Sequence, residues 1–139
     1  MKLNHFTDFS MRVLMYLDQK KENQQSSLDE LSTNFKISRN HLIKVVQFLS
    51  SNNLVQTKRG KNGGILISEK ARAILLGDLI HLLEQDDTPV VNCDLKPCIF
   101  QSQNCKLKAV FSSAYLAFIE SLNQYKLSDL KFTNWSSIF

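Results

Sequence analysis

The sequence predicts a mainly α protein with one small β-hairpin: a winged helix-turn-helix followed by a long C-terminal dimerisation helix. Three observations carry that expectation. Apolar residues recur at helical spacing in several separate stretches. One pair of strand-like runs, Leu54 to Lys58 and Ile65 to Ser68, flanks a glycine-rich turn. A late stretch keeps helical register for longer than one small domain needs. With 139 residues, 43% of them hydrophobic, the chain suits one domain with a real core, or one domain plus an oligomerisation arm.

Thr7 is the expected N-cap of the first helix, with Asp8 in its first turn and Phe9, Val13, Leu14 and Leu17 along one face. Lys20 to Ser26 is polar and reads as a loop. Ser27 with Glu30 three residues later is a capping-box signature ahead of Leu28, Leu31 and Phe35, so a short second helix follows. Ser38 then caps a third helix with an apolar stripe of Leu42, Val45, Val46 and Leu49; its other face carries Arg39, Asn40, His41, Lys44 and Gln47. The turn Arg59-Gly60-Lys61-Asn62-Gly63-Gly64 suits positive φ and joins the two strands. Leu76, Leu79, Ile80 and Leu83 mark a further helix, ended by the polar run from Glu84 to Pro89. From about Asn104, the positions Leu107, Val110, Phe111, Ala114, Phe118, Leu122 and Tyr125 stay in register, giving a rod of roughly 30 Å at 1.5 Å per residue.

Two short helices joined by a tight turn, the second with donors crowded at its N-terminal end, match a helix-turn-helix reader of DNA. Ser38 and the helix N-terminus suit a phosphate. Arg39 and Lys44 can address guanine, and Asn40 can pair with adenine, with His41 beside them. A solvated helix face is the alternative, and the hairpin decides between the two. Its tip is basic, with Arg59, Lys61 and Asn62, as expected of a wing that enters a narrow minor groove. The balance of 17 Lys+Arg against 13 Asp+Glu permits such a partner. The rod has a second apolar face (Tyr115, Ala117, Ile119), which points to packing against another copy, as a homodimeric reader of a pseudo-palindromic operator requires.

All three cysteines fall in one polar segment, as Cys93-x4-Cys98-x6-Cys105. The start lacks an apolar signal region and no stretch approaches a membrane span, which predicts a cytoplasmic protein. In a reducing compartment an odd, clustered set of thiols is more often a metal or redox site than a disulfide framework. Three readings stand: an iron-sulfur site lacking one protein ligand, zinc held by the cysteines with a histidine or carboxylate, or a thiol switch through Cys93 and Cys98. A redox enzyme would want C-x-x-C on a βαβ scaffold, and neither is present, so no enzymatic activity is expected. The expected division is a winged helix-turn-helix domain over 1–84, a cysteine-bearing cluster-binding loop over 85–104, and the dimerisation helix and tail over 105–139.

The segments Thr7-Asp8-Phe9-Ser10-Met11-Arg12-Val13-Leu14, Ser38-Arg39-Asn40-His41-Leu42, the Arg59 to Gly64 wing and the three cysteines together resemble the Rrf-type (IscR/NsrR) bacterial regulators over nearly the whole chain. The wing, the Val91-Asn92-Cys93 entry, the Cys105-Lys106-Leu107-Lys108 exit and the stretch from Asn123 to Leu130 look most like the nitric-oxide-sensing NsrR branch. The resemblance implies a homodimeric winged-helix repressor with one iron-sulfur cluster per subunit, commonly 4Fe-4S in that branch, which nitric oxide attacks to release the operator. It also implies a ligand set of Cys93, Cys98, Cys105 and Asp8, the last from the partner subunit. Lys108 stands where the IscR branch has a histidine, which argues against an IscR-type 2Fe-2S cluster.

Overall fold

The computed structural model describes residues 2–61, 63–85, 91, 93, 98–100 and 105–135. Asn62 and most of the cysteine segment lie outside the described residues. Among the described residues, six α-helices and one hairpin follow in order: α1 (His5–Gln19), α2 (Leu28–Phe35), α3 (Arg39–Ser51), β1 (Val55–Lys58), β2 (Gly64–Ile67), α4 (Glu69–Ala73), α5 (Leu76–Glu84) and α6 (Leu107–Leu122). The mainly helical winged-helix class expected from the sequence is what forms.

α1 begins earlier than Thr7. Asn4 is the N-cap, its side-chain oxygen accepting from the Thr7 N–H at 2.8 Å, and Thr7 itself is buried within the first turn. Both residue types cap well, but the apolar face already starts at Phe6, so the helix needs its cap before that residue. Asn4 is also tied to the end of α5: its backbone N–H and side-chain amide donate to the Glu84 carboxylate at 3.2 and 3.1 Å.

α2 and α3 follow the sequence reading closely. The Ser27–Glu30 capping box is complete, and Lys36 closes α2 in the left-handed region at φ 54°, which sets the tight turn into α3. In α3 the buried residues are Leu42, Val45, Val46 and Leu49. Full burial of each such side chain is worth about 1.5–3 kcal/mol, enough to make this stripe the seam between α3 and its neighbours. Together with Val13, Leu14 and Leu17 of α1, Leu31 of α2, Leu54, and Leu79 and Leu83 of α5 they form one core.

β1 and β2 pair antiparallel, from Val55 opposite Ile67 to Lys58 opposite Gly64. The Lys20–Ser26 stretch is not only a loop: the Ser26 N–H donates to the Ile65 carbonyl at 3.0 Å and its carbonyl accepts from the Ile65 N–H at 2.8 Å, a one-residue third strand on the hairpin. The turn demands its glycines. Gly60 sits at φ 102°, and a Cβ at Gly63 would stand 2.2 Å from the Lys58 carbonyl oxygen.

α6 is shorter than the expected rod, at 16 residues or about 24 Å. At its end Asn123 keeps its backbone N–H on the Ile119 carbonyl while its side chain turns to α5. The Asn123 Oδ1 accepts from the Asp78 N–H at 3.0 Å and its Nδ2 donates to the Asp78 carboxylate at 3.0 Å, so it caps α5, whose own N-cap residue Leu75 makes no side-chain cap bond. Helix approach is close here: a Cβ on Gly77 would meet the Ile119 carbonyl oxygen at 2.3 Å. Tyr125 lies past the helix end, where its carbonyl accepts from the Leu76 N–H at 2.9 Å.

Beyond α6 the chain returns to the first helices. A 3-10 turn, Leu127–Leu130, buries Leu127, and the Phe132 N–H donates to the Gln19 side-chain oxygen at 3.0 Å. Trp135 meets the Tyr16 ring edge-on at 5.2 Å. The Asp18 carboxylate, almost wholly buried, is held by Arg72 at 3.0 Å, with Lys131 at 4.0 Å. Neither oxygen has well-directed hydrogen-bond geometry, so charge rather than direction holds this contact.

Candidate nucleic-acid interface and cysteine segment

The N-terminal half of α3 carries the candidate reading surface. Ser38 is the N-cap, accepting from the His41 N–H at 3.4 Å, and its hydroxyl lies 2.9 Å from His41 Nδ1. That contact, with the Phe9 ring 6.0 Å away, gives the imidazole a defined place on the helix. Ser38, Arg39, Asn40, His41 and Lys44 are all exposed around the N-terminal half of α3. The first-turn N–H groups that Ser38 does not cap, together with the positive end of the helix dipole, favour a phosphate there.

Arg59 and Lys61 form a second exposed set at the hairpin tip, beside Lys58 at the end of β1. The two sets are separate along the chain but share a scaffold. β1 packs on α3, and the Leu54 N–H donates to the Leu49 carbonyl at 2.8 Å, which fixes how the hairpin leaves the helix.

Three further groups at this surface carried no local sequence signal. Asp29, in the first turn of α2, is ion-paired with Arg39 across the turn. Arg12 and Lys36 line a cleft of about 380 Å³ with Asp8, Phe9, Ser38 and His41. A helix-turn-helix sequence gives each helix its face, but not which side chains of neighbouring helices meet.

Asp8 opens onto that cleft. Its carboxylate accepts from Arg12 Nε at 2.9 Å, one helical turn away. This hydrogen bond, then the charge of Asp8, raises the Arg12 guanidinium above its ordinary value against a small opposing effect of burial. Asp8 is therefore a half-exposed acid with a local partner, 44% exposed.

Cys93 and Cys98 are partly exposed and Cys105 is exposed two residues before α6; all three are free thiols. The donor chemistry suits soft metals or iron-sulfur iron. Among the described residues, no group of three or more His, Cys, Asp or Glu is close enough to hold a metal ion. The thiols therefore do not make a site from the described residues of one chain.

No helix among the described residues is long and apolar enough to cross a membrane. The fold is similar to solved winged-helix regulators. The structure of CymR, the global cysteine regulator of B. subtilis, matches at TM-score 0.70 and 24% identity, over 94% of this chain and 95% of that chain. Oxidized CymR of Staphylococcus aureus matches at TM-score 0.71 and 22% identity, over 96% and 99%. IscR of T. potens matches at TM-score 0.70 and 22% identity, over 94% and 85%. The family model Rrf2, described as iron-dependent transcriptional regulator, matches residues 3–132. A winged helix with exposed donors on α3, matched over nearly its whole length by that model, belongs to the Rrf2 family of DNA-binding transcriptional regulators, and not to an enzyme family.

Proposed function

We propose that this regulator is a cytoplasmic homodimeric repressor whose operator affinity is set by an iron-sulfur cluster sensitive to nitric oxide, as in the NsrR branch. The observation that carries the reading is the confinement of every thiol to the Cys93–Cys105 segment, each of them free, in a chain matched by a family of iron-dependent regulators. Cys93, Cys98 and Cys105, with Asp8 of the partner subunit, would hold the cluster. When bound it would supply iron that nitric oxide attacks.

The chain's own residues supply the coupling. To serve a neighbouring subunit, Asp8 must give up its bond to Arg12. That exchange occurs on the wall of the cleft that also contains Ser38 and His41, at the start of α3. A carboxylate oxygen is a hard donor for soft iron, so Asp8 would be the weakest of the four ligands. Ser38, Arg39, Asn40, His41 and Lys44 would meet the major groove, and Arg59, Lys61 and Asn62 the backbone or minor groove. Homodimerisation has its own support: α6 buries no residue, and Leu107, Val110, Phe111 and Leu116 are 42–61% exposed.

The test is anaerobic purification, iron and sulfide analysis and a visible spectrum, followed by gel shift on an operator selected from a random duplex library. Nitric oxide should bleach the charge-transfer colour and abolish the shift together. Asp8→Ala should leave a more labile centre; an unchanged lifetime and an unchanged response remove Asp8 from the ligand set. Material without iron even after reconstitution ends the cluster reading. A second reading is a thiol switch through Cys93 and Cys98, which are both free and partly exposed. It predicts that a mild disulfide oxidant changes operator affinity in metal-free protein.

A further inference from the structure

Asp29 is an anion on a surface built from cations. It stands in the first turn of α2 with its side chain 77% exposed, and its carboxylate accepts from Arg39 Nη1 at the first position of α3, itself 54% exposed. The pair spans the turn of the helix-turn-helix.

The fold does not need this contact. Glu30 already completes the capping box of α2, its carboxylate accepting from the Ser27 N–H while the Ser27 hydroxyl oxygen accepts from the Glu30 N–H. An exposed ion pair contributes little to stability because solvent screens it and two long side chains must be ordered. A carboxylate in this place also opposes every approaching phosphate, so in a protein selected only for affinity it would be a defect.

It makes sense as a filter. Random DNA is held through its phosphates, whereas an operator is also read at base edges. The Arg39 guanidinium carries five donors in a flat fork. One is taken by Asp29, and no other described residue engages the rest. With Asp29 in place, Arg39 presents a reduced charge to a passing phosphate but keeps a free edge for a guanine, so the carboxylate penalises random DNA more than the operator. Specificity is a difference of affinities, and a repulsive group is one way to widen it.

We propose that Asp29 is a specificity-determining positioning residue that acts through the Arg39 guanidinium, suppressing its contacts with phosphate while leaving it able to read a base. The proposal rests on the reading that Arg39 reaches DNA.

The experiment uses the full chain, purified without air and kept as isolated. Its probes are an operator duplex recovered from a random library by the wild-type protein and a scrambled duplex of the same composition. Both are titrated over a range of KCl with the wild type, Asp29→Asn, Arg39→Ala and the double variant. Asp29→Asn should bind the scrambled duplex more tightly, with the slope of log affinity on log salt steeper by about 0.9, the increment of one added phosphate contact. The operator-to-scrambled ratio should fall about five- to ten-fold, the lower end of what one bidentate arginine–guanine contact supplies. In the Arg39→Ala background, the Asp29→Asn change should leave that ratio where it is, and Asp29→Glu, titrated as a fifth protein, should keep the wild-type ratio.

The outcomes separate the two layers. If Arg39→Ala alters neither duplex, the reading of Arg39 as a DNA contact is wrong. If Arg39→Ala lowers the ratio but Asp29→Asn does not, that reading stands and the filter fails. If Asp29→Asn lowers the ratio equally with and without Arg39, the carboxylate acts by charge alone and is not a positioning residue. Thermal melting of each variant keeps a folding defect from being mistaken for any of these.

Discussion

α3 and α6 are helices of similar length, 13 and 16 residues, and both carry a run of large apolar side chains. α3 buries Leu42, Val45, Val46 and Leu49 within its own chain. α6 buries none of its residues, and α5 is its main partner among the described residues. The difference lies in where the chain ends its own work. The reading head closes around α3 with a single core, while α6 is anchored at its C-terminal end by Asn123 and Gly77 and leaves Leu107, Val110 and Phe111 at the other end uncovered. One helix is finished by its own chain; the other, under the proposed function, is completed by a second copy.

The largest expected effect breaks the contrast at α6. Val110→Lys combined with Leu116→Lys should turn dimers into monomers by sedimentation and weaken operator binding about 10²–10⁴-fold, because the two heads lose their linkage. A variant that stays dimeric would place the interface elsewhere. Next comes the core. Leu42→Ala, at a site with no exposure, should cost about 2–5 kcal/mol in denaturant unfolding, against a change within about 0.5 kcal/mol of monomer stability for Leu116→Ala. Equal losses would erase the distinction drawn between the two helices.

Smaller effects sharpen it within the head. Ser38→Ala removes the cap of α3 and should cost about 0.5–1 kcal/mol, at the low end for such caps because its bond to the His41 N–H is long, with operator affinity falling alongside. Thermal melts beside binding curves would check both.

The smallest effect is in pH. Burial pushes the Glu30 carboxyl up, but hydrogen bonds from Lys20 and Tyr16, then the charge of Lys20, outweigh it and hold the group below the ordinary carboxylate range. Its stabilisation is therefore present above the unfolded value and lost as pH falls through the lowered folded one. Lys20 is raised although burial opposes it, through its bonds to Glu30 and Tyr16, and that contribution is lost only as pH rises through the raised value. Lys20→Met should flatten the acid side of a stability-against-pH curve. A curve with the wild-type acid limb would show that Lys20 does not hold Glu30.

Much of the head was legible because its signals are local. The caps at Ser27 and Ser38, the α3 stripe and the glycines of the hairpin each lie within a few residues of what they determine. The misplaced cap at Thr7 shows the limit of that locality: Asn4 and Thr7 are three residues apart, both are good cap residues, and only the start of packing at Phe6 separates them. α4 is five residues long, too short to show a period, and it escaped notice. The tie between α6 and α5 depended on Asn123 reaching Asp78, and the hold on Asp18 depended on Arg72, neither of which any local pattern announces. The cysteine segment was legible as chemistry, by residue type and clustering, but its geometry involves residues distant in sequence and, in the proposed function, on another chain.

Trp135 is the chain's single indole, and it rests on the phenol ring of Tyr16 in α1 while stacking with Phe132. An unlabelled sample thus carries its own optical gauge at the junction between the tail and the reading head. A change in emission colour or intensity on adding an effector would report movement at that junction, and constant emission would confine the response to other parts of the molecule.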